Sequence, residues 1–254
     1  RASSLSSSFT TTGECAMLMS PDRRRSVADR VMSLQNRVTP EGEIIATPHR
    51  GLLMGNRGGA FHRPDRTLGH RRWHSRQWIC CVLEFKGRRR AVMQPNRYTE
   101  LFFLDEATAL AAGHRPCFEC RRKDAEHFAA LWAMTRSRPD GRRARAPDMD
   151  AVLHHERTGQ AGEKVTYPGR LGDLPDGTFV RGPDRTSLLV LSGRLSPWTP
   201  AGYGPSRRLD PDLSVTVLTP RSIVAVLSAE YHPMLHPSAG ADASCRLLGG
   251  KPHT

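Results

Sequence analysis

Long apolar runs are missing from this 254-residue chain: no stretch of about 18 uninterrupted apolar residues occurs, so no membrane-spanning helix is expected. Lysine is nearly missing too. Of 38 basic residues only Lys86, Lys123, Lys164 and Lys251 are lysine, leaving 34 arginines, and acids number 25, so the formal charge is +13. A surplus of that size favours polyanionic partners, because each basic contact to a phosphate releases condensed counterions. Arginine adds a planar fork that grips phosphate bidentately and stacks on bases. Two nucleotide-handling signatures are also lacking. No Gly-Lys-Ser/Thr follows the glycine- and arginine-rich run 50–59, which excludes a Walker-type ATP site, and no His-Asn-His nuclease signature is present.

What cysteine there is has an uneven distribution. Cys15 and Cys245 lie in ends expected to be disordered, whereas Cys80, Cys81, Cys117 and Cys120 form one adjacent pair and one Cys-x-x-Cys pair. That is a metal pattern rather than a disulfide framework, and it points to a reducing compartment, the cytoplasm. Residues 105–120 read as a short helix running into a knuckle. Asp105 can cap the helix by accepting a first-turn amide, Gly113 can end it in the left-handed conformation, and Cys117 and Cys120 then follow on a tight turn. Two thiolates so spaced suit Zn2+, about 2.3 Å from each sulfur.

The remaining ligands are sought in the strand-like run 77–85. Side chains alternate along a strand, so Cys80 projects with Trp78, Val82 and Glu84, and Cys81 with Ile79, Leu83 and Phe85. One of the two is expected as third ligand, with His74, His70 or the second cysteine as fourth. Cys80 is preferred because Cys81 lies on the more apolar face.

Phe102-Phe103, then Ala111-Ala112-Gly113, then Arg115-Pro116-Cys117-Phe118-Glu119-Cys120 make an order that resembles the metal-binding domain of the Ada alkylation-repair family, over residues about 77–125. The resemblance implies a small α/β module with zinc on four cysteines, contact with DNA, and a zinc-bound cysteine that accepts a methyl group from a damaged phosphate. By position only Cys117 and Cys120 carry over. The family's first pair is Cys-x-x-x-Cys, whereas this chain has adjacent Cys80 and Cys81 and a longer gap before the second pair. Cys80 and Cys81 are the candidates for the acceptor.

A hairpin is expected from 77–85 to 88–94 around Lys86-Gly87, with Arg88, Arg89 and Arg90 just past its turn. Together with Arg97, Arg115, Arg121, Arg122 and Lys123 these would surround the metal with positive charge. Trp73, Trp78, Tyr98 and Phe118 interleave with them as possible stacking platforms. The expected partner is nucleic acid, DNA before RNA. Three functional classes fit: a zinc-stapled nucleic-acid-binding protein, which is preferred; an alkyl-transfer protein using Cys80 or Cys81; and a metal-dependent nuclease using His62, His70 or His74 with Glu100 or Glu119 as base.

The fold class expected is α+β, a small zinc-stapled β-hairpin/helix module followed by a compact β-rich domain with flanking helices. Residues 1–36 read as a disordered or mis-assigned N-terminal segment, opening without methionine on a Ser/Thr-rich stretch, and 37–136 as the zinc module. A basic Pro/Gly-containing linker at 137–147 leads to the β-rich domain 148–237, and a Gly/Ala/Ser-rich tail occupies 238–254. Helices are expected at 124–134, after an Asp148 cap, and from a Thr219-Pro220 start. His154, His155 and Glu156 form a further polar cluster, although adjacent helical residues diverge by about 100° and do not share a ligand readily.

Overall fold

Six short strands in the first half, β1 (Gln35–Val38), β2 (Ile44–Ala46), β3 (Leu53–Arg57), β4 (Trp78–Val82), β5 (Leu101–Phe103) and β6 (Arg115–Pro116), join in a sheet of order β2-β1-β5-β3-β4-β6. They belong to a computed structural model that describes residues 33–87, 91–136 and 144–240. The segment through residue 32, Arg88, Arg89, Arg90, residues 137–143 and the tail from 241, with Cys15 and Cys245, lie outside the described residues. β1 begins inside the segment set aside at 1–36.

β3 is the sheet's antiparallel centre, flanked by β4 and β5, while β1–β5 and β4–β6 pair in parallel. The expected hairpin does not form: β4 takes β3 and β6 as neighbours, and 91–94 contains turn in place of a strand. Entry into β3 needs a glycine. Gly51 has φ +76°, Leu52 N donates to Leu104 O at 2.9 Å, and a Cβ on Gly51 would stand 2.0 Å from the Phe103 carbonyl oxygen. Gly51→Ala is expected to cost about 1–3 kcal/mol from the overlap and about 1 kcal/mol more for the left-handed backbone, read as a lower urea midpoint.

Helix α1 (Glu106–Ala111) follows β5 and is buried throughout; Asp105 accepts the Thr108 amide at 2.9 Å, and Gly113 leaves the helix at φ +85°. α2 (Arg122–Thr135) starts two residues before the expected position and turns Phe128 and Trp132 inward. α3 (Ala146–Arg157) carries Pro147 in its first turn, so Asp148 lies within the helix and Arg145 occupies the cap.

The second sheet holds β7 (Tyr167–Arg170), β8 (Phe179–Arg181), β9 (Ser187–Leu191), β10 (Arg194–Thr199), β11 (Gly202–Tyr203) and β12 (Ser214–Val217), in the order β11-β10-β9-β8-β12-β7. α4 (Arg221–Ser228) follows it. Thr219 is not its cap: the hydroxyl accepts Phe179 N at 2.8 Å, and Glu156 instead receives the Ser222 amide at 2.9 Å and hydroxyl at 2.6 Å. Among the described residues the architecture is therefore α+β with two six-stranded sheets and four α-helices. No described helix is long and apolar enough to cross a membrane.

The described residues from Ser33 onward fall in one compact unit, and their cores run across 137–147. One cluster joins Phe128 and Trp132 to Met149, Leu153 and Ile223; another joins Leu104 and Ala107 to Phe179, Leu189 and Tyr203. Two buried carboxylates seal this junction. Asp105 also accepts Tyr203 OH at 2.7 Å and His236 N at 3.0 Å, and Glu106 accepts Tyr231 OH at 2.7 Å and Met234 N at 3.0 Å. The β10–β11 hairpin packs onto this helix start, with Trp198 Nε1 donating to Thr108 Oγ1 at 3.1 Å.

Candidate metal centre

Strand register builds the site. β4 and β6 align Ile79 with Arg115 and Cys80 with Pro116, and Cys117 N extends the ladder by donating to Cys80 O at 3.0 Å. The next step brings Cys81 beside Cys117. The chain then turns tightly: Arg121 N donates to Cys117 O at 3.0 Å, and Glu119 N points at Cys117 Sγ at 3.4 Å. Cys120 returns to the same point. The sulfurs of Cys81, Cys117 and Cys120 lie within 4.8 Å of one another, and this is the one His/Cys/Asp/Glu cluster of metal-binding geometry among the described residues. Tetrahedral zinc–sulfur bonds of 2.3 Å would set the sulfurs about 3.8 Å apart, so a small closure suffices. These three residues could hold a metal ion.

Their protons are already unequal. Hydrogen bonds to Cys117 and Cys120, with burial added, push the Cys81 thiol far up; hydrogen bonds from Cys120 and Cys81 pull Cys117 far down against the opposing effect of its burial. Cys120, which donates to Cys117, is raised. Backbone amides reinforce two of the sulfurs, with Glu119 and Cys120 on Cys117 and Val82 on Cys120.

The group lies on the wall of a cleft of about 410 Å³, which Arg50, Tyr98 and Glu100 also line. Glu100 is almost fully buried and accepts Met93 N at 2.7 Å. Arg50 stacks on Phe102 at 4.7 Å. Part of the glycine- and arginine-rich run 50–59 forms β3, whose pairing of Met54 with Cys81 brings it beside the cysteines.

Two expected ligands lie elsewhere. Cys80 is fully buried among Val38, Leu53 and Phe103, with Arg121 Nη1 3.7 Å from its sulfur, and burial pushes its thiol up. Parity separated the two cysteines as expected, but the apolar residues Ile79, Leu83 and Phe85 beside Cys81 line the cleft. His74 is exposed, precedes β4 and packs against Gly59 in a depression with His70 and Trp73, at the strand's Trp78 end.

The basic residues divide as well. Arg97, Arg122 and Lys123 are exposed, but Arg115 is buried in a bidentate pair with Asp150 at 2.9 and 2.8 Å, and Arg121 in pairs with Glu106 at 2.8 Å and Asp124 at 2.7 Å. Neither is offered to a polyanion. Of the aromatic candidates Trp78 is internal, Phe118 packs on the helical core, and Tyr98 lines the cleft. Both ring nitrogens of His62 are engaged, by Thr99 Oγ1 at 2.8 Å and Gln94 O at 3.2 Å.

No family model matches this chain, and comparisons with curated proteins and with solved structures gave no match, so its activity is argued from this geometry.

Proposed function

We propose that the chain is a zinc-binding, nucleic-acid-binding protein with an Ada-like centre, in which Cys81, Cys117 and Cys120 hold the metal and Cys81 accepts an alkyl group. The observation that carries this reading is the opening of the three-sulfur group onto a cleft. Structural zinc sites are closed by four protein ligands, whereas reactive ones keep a position free. Soft thiolates select zinc over oxygen-loving magnesium or calcium. Three of them on a divalent ion leave a net negative centre, which favours nucleophilic sulfur over strong acidification of bound water. Amides damp Cys117 and Cys120, while the interactions of Cys81 are with the other two sulfurs.

In the proposed step the Cys81 sulfur attacks the methyl carbon of a phosphate methyl ester. An S–C bond forms, the C–O bond breaks, and its electron pair stays on the phosphate oxygen, which becomes the normal diester anion. Arg50 at the cleft and the exposed Arg97, Arg122 and Lys123 favour the polyanion's approach, with DNA preferred. The nuclease reading is weaker, since His62 is bonded internally and His70 and His74 lie off the cleft.

Zinc-loaded protein incubated with DNA carrying methyl phosphotriesters is expected to gain one methyl group by intact mass, mapped to Cys81. The Cys80→Ser protein should gain it too, and Cys81→Ala should not. Salt-dependent DNA binding without any mass gain would leave a binding protein without chemistry, and the absence of both would end the proposal.

A further inference from the structure

At the Trp78 end of β4 lies a second cavity, of about 650 Å³, which shares no residue with the cysteine cleft. Six cations and three carboxylates line it. Of the acids, Glu41 is taken by Arg181 in a bidentate pair at 2.8 and 2.7 Å, while Glu43 and Glu163 are exposed. Deeper in, the balance is wholly positive. Arg57 and Arg157 are 1% and 3% exposed, and each guanidinium stacks 3.9 Å from the Trp78 ring.

Their hydrogen bonds go to neutral acceptors. Arg57 donates to His114 Nε2 at 3.3 Å, Arg72 O at 3.1 Å and Gly42 O at 2.9 Å; Arg157 donates to Gly113 O at 2.7 Å and Arg76 O at 2.6 Å. Arg157 Nε has no partner among the described residues. Lys164 turns its ammonium inward to Ala111 O. Asp150 is the acid that favours the Arg157 charge, but it is bonded bidentately to Arg115.

The contrast with the rest of the molecule is informative, because Arg115 and Arg121, equally internal, each have carboxylate partners. Taking an ion out of water costs several kcal/mol, and carbonyls and an indole face offset only part of that. Burial draws Lys164 down to about 7, against the favourable charge of Glu41 and with repulsion from Arg57 and Arg157 added; burial and neighbouring cations draw Arg57 to about 9 and Arg157 well below its usual value. Arginine does not in practice shed its proton, so the tension remains in the folded chain until an anion relieves it. The volume lies in the range of sites for nucleotide-sized ligands. Trp73, half-buried beside Trp78 at 5.9 Å between ring centres, offers an indole for a planar base.

The geometry points to a binding site for a phosphate monoester joined to a base, with Arg57, Arg72, Arg157 and Lys164 around the phosphate and Trp73 against the base. This site does not depend on the metal reading. Its ligand is either a free nucleoside monophosphate or the phosphorylated end of a strand, and calorimetric titration of the full chain separates them. AMP should bind saturably and at least tenfold more tightly than adenosine or inorganic phosphate. A 5′-phosphorylated oligonucleotide that binds tenfold more tightly than its 5′-hydroxyl twin assigns the strand end; equal binding of the twins assigns the free nucleotide.

Lys164→Met should weaken AMP binding tenfold or more without lowering the melting midpoint of the ligand-free protein, since it removes a buried cation whose favouring acid, Glu41, is already bonded bidentately to Arg181. A purely structural lysine would show the reverse, a lower midpoint and unchanged affinity, which overturns the proposal, as would AMP binding no more tightly than adenosine. If inorganic phosphate binds as tightly as AMP, the anion site stands and the stacking role of Trp73 falls. Should Lys164→Met not fold, Arg72→Gln, a half-buried wall cation bonded to carbonyls of its own loop, makes the same comparison.

Discussion

Zinc content will fall from one ion per chain to none in Cys81→Ser, and will stay at one in the neighbouring Cys80→Ser. The two residues are adjacent, yet the alternation of β4 sends one sulfur to the cleft and the other to the core. Three thiolates are the whole cluster among the described residues, so losing one leaves a pair, too few for tight retention. Cys117→Ser and Cys120→Ser should behave like Cys81→Ser.

Stability should follow the metal. Where free zinc exceeds its dissociation constant a thousandfold, binding adds about 4 kcal/mol, and chelation removes it. Cys80→Ser should instead lose about 1–3 kcal/mol by placing a hydroxyl in an apolar core, whether or not zinc is present. Metal analysis and chelator-dependent melting of the four variants read both effects. A Cys80→Ser protein that emerges without zinc, or a wild type whose melting ignores chelator, would remove the basis for a metal centre here.

Local chemistry in the sequence foretold local structure well. Asp105 and Gly113 bound α1 as their side chain and φ preferences require, and the Cys-x-x-Cys knuckle forms. Pairing was not legible in the same way. A Lys-Gly turn between apolar runs suggests a hairpin, but β4 is claimed on one side by β3 and on the other by a two-residue strand that carries Pro116. That parallel contact chose Cys81. The apolar character of its face, read as a sign of core, belongs to a cleft.

Burial of charge was equally hidden. In a chain with 34 arginines nothing local distinguishes Arg57, Arg115, Arg121 and Arg157, which go inside, from Arg97 and Arg122, which do not. Their partners Asp150 and Glu106 lie 35 and 15 residues away. The cationic cavity depends on separations longer still, with Arg157 Nη2 reaching Arg76 across 81 positions.

The second large effect concerns Glu106, and it separates two arginines that are adjacent in the chain. Arg121 and Arg122 both looked fit to meet phosphate. Arg121 instead lies between Glu106, Asp124 and the Cys80 sulfur, one residue past the knuckle, while Arg122 is 70% exposed with Glu126 at 3.7 Å. Glu106→Ala would leave the Arg121 charge buried with one of its two carboxylates gone, and would unpair Tyr231 OH and Met234 N as well.

Breaking a buried ion pair from one side costs about 3–5 kcal/mol, so a melting midpoint lower by roughly 10 °C is expected for a chain of this size. Arg121→Ala should fall in the same range, since it strands Glu106. Arg122→Ala should change stability by less than about 0.5 kcal/mol and lower the salt dependence of DNA binding by up to about one counterion. The reverse ordering, with Arg121→Ala folding normally and Arg122→Ala unstable, would mean that α2 does not seat on the knuckle as described. Because Glu106 also holds the Tyr231 and Met234 segment, its loss should loosen both the cysteine turn and the helical core. Zinc release and global unfolding in Glu106→Ala should therefore occur in one transition.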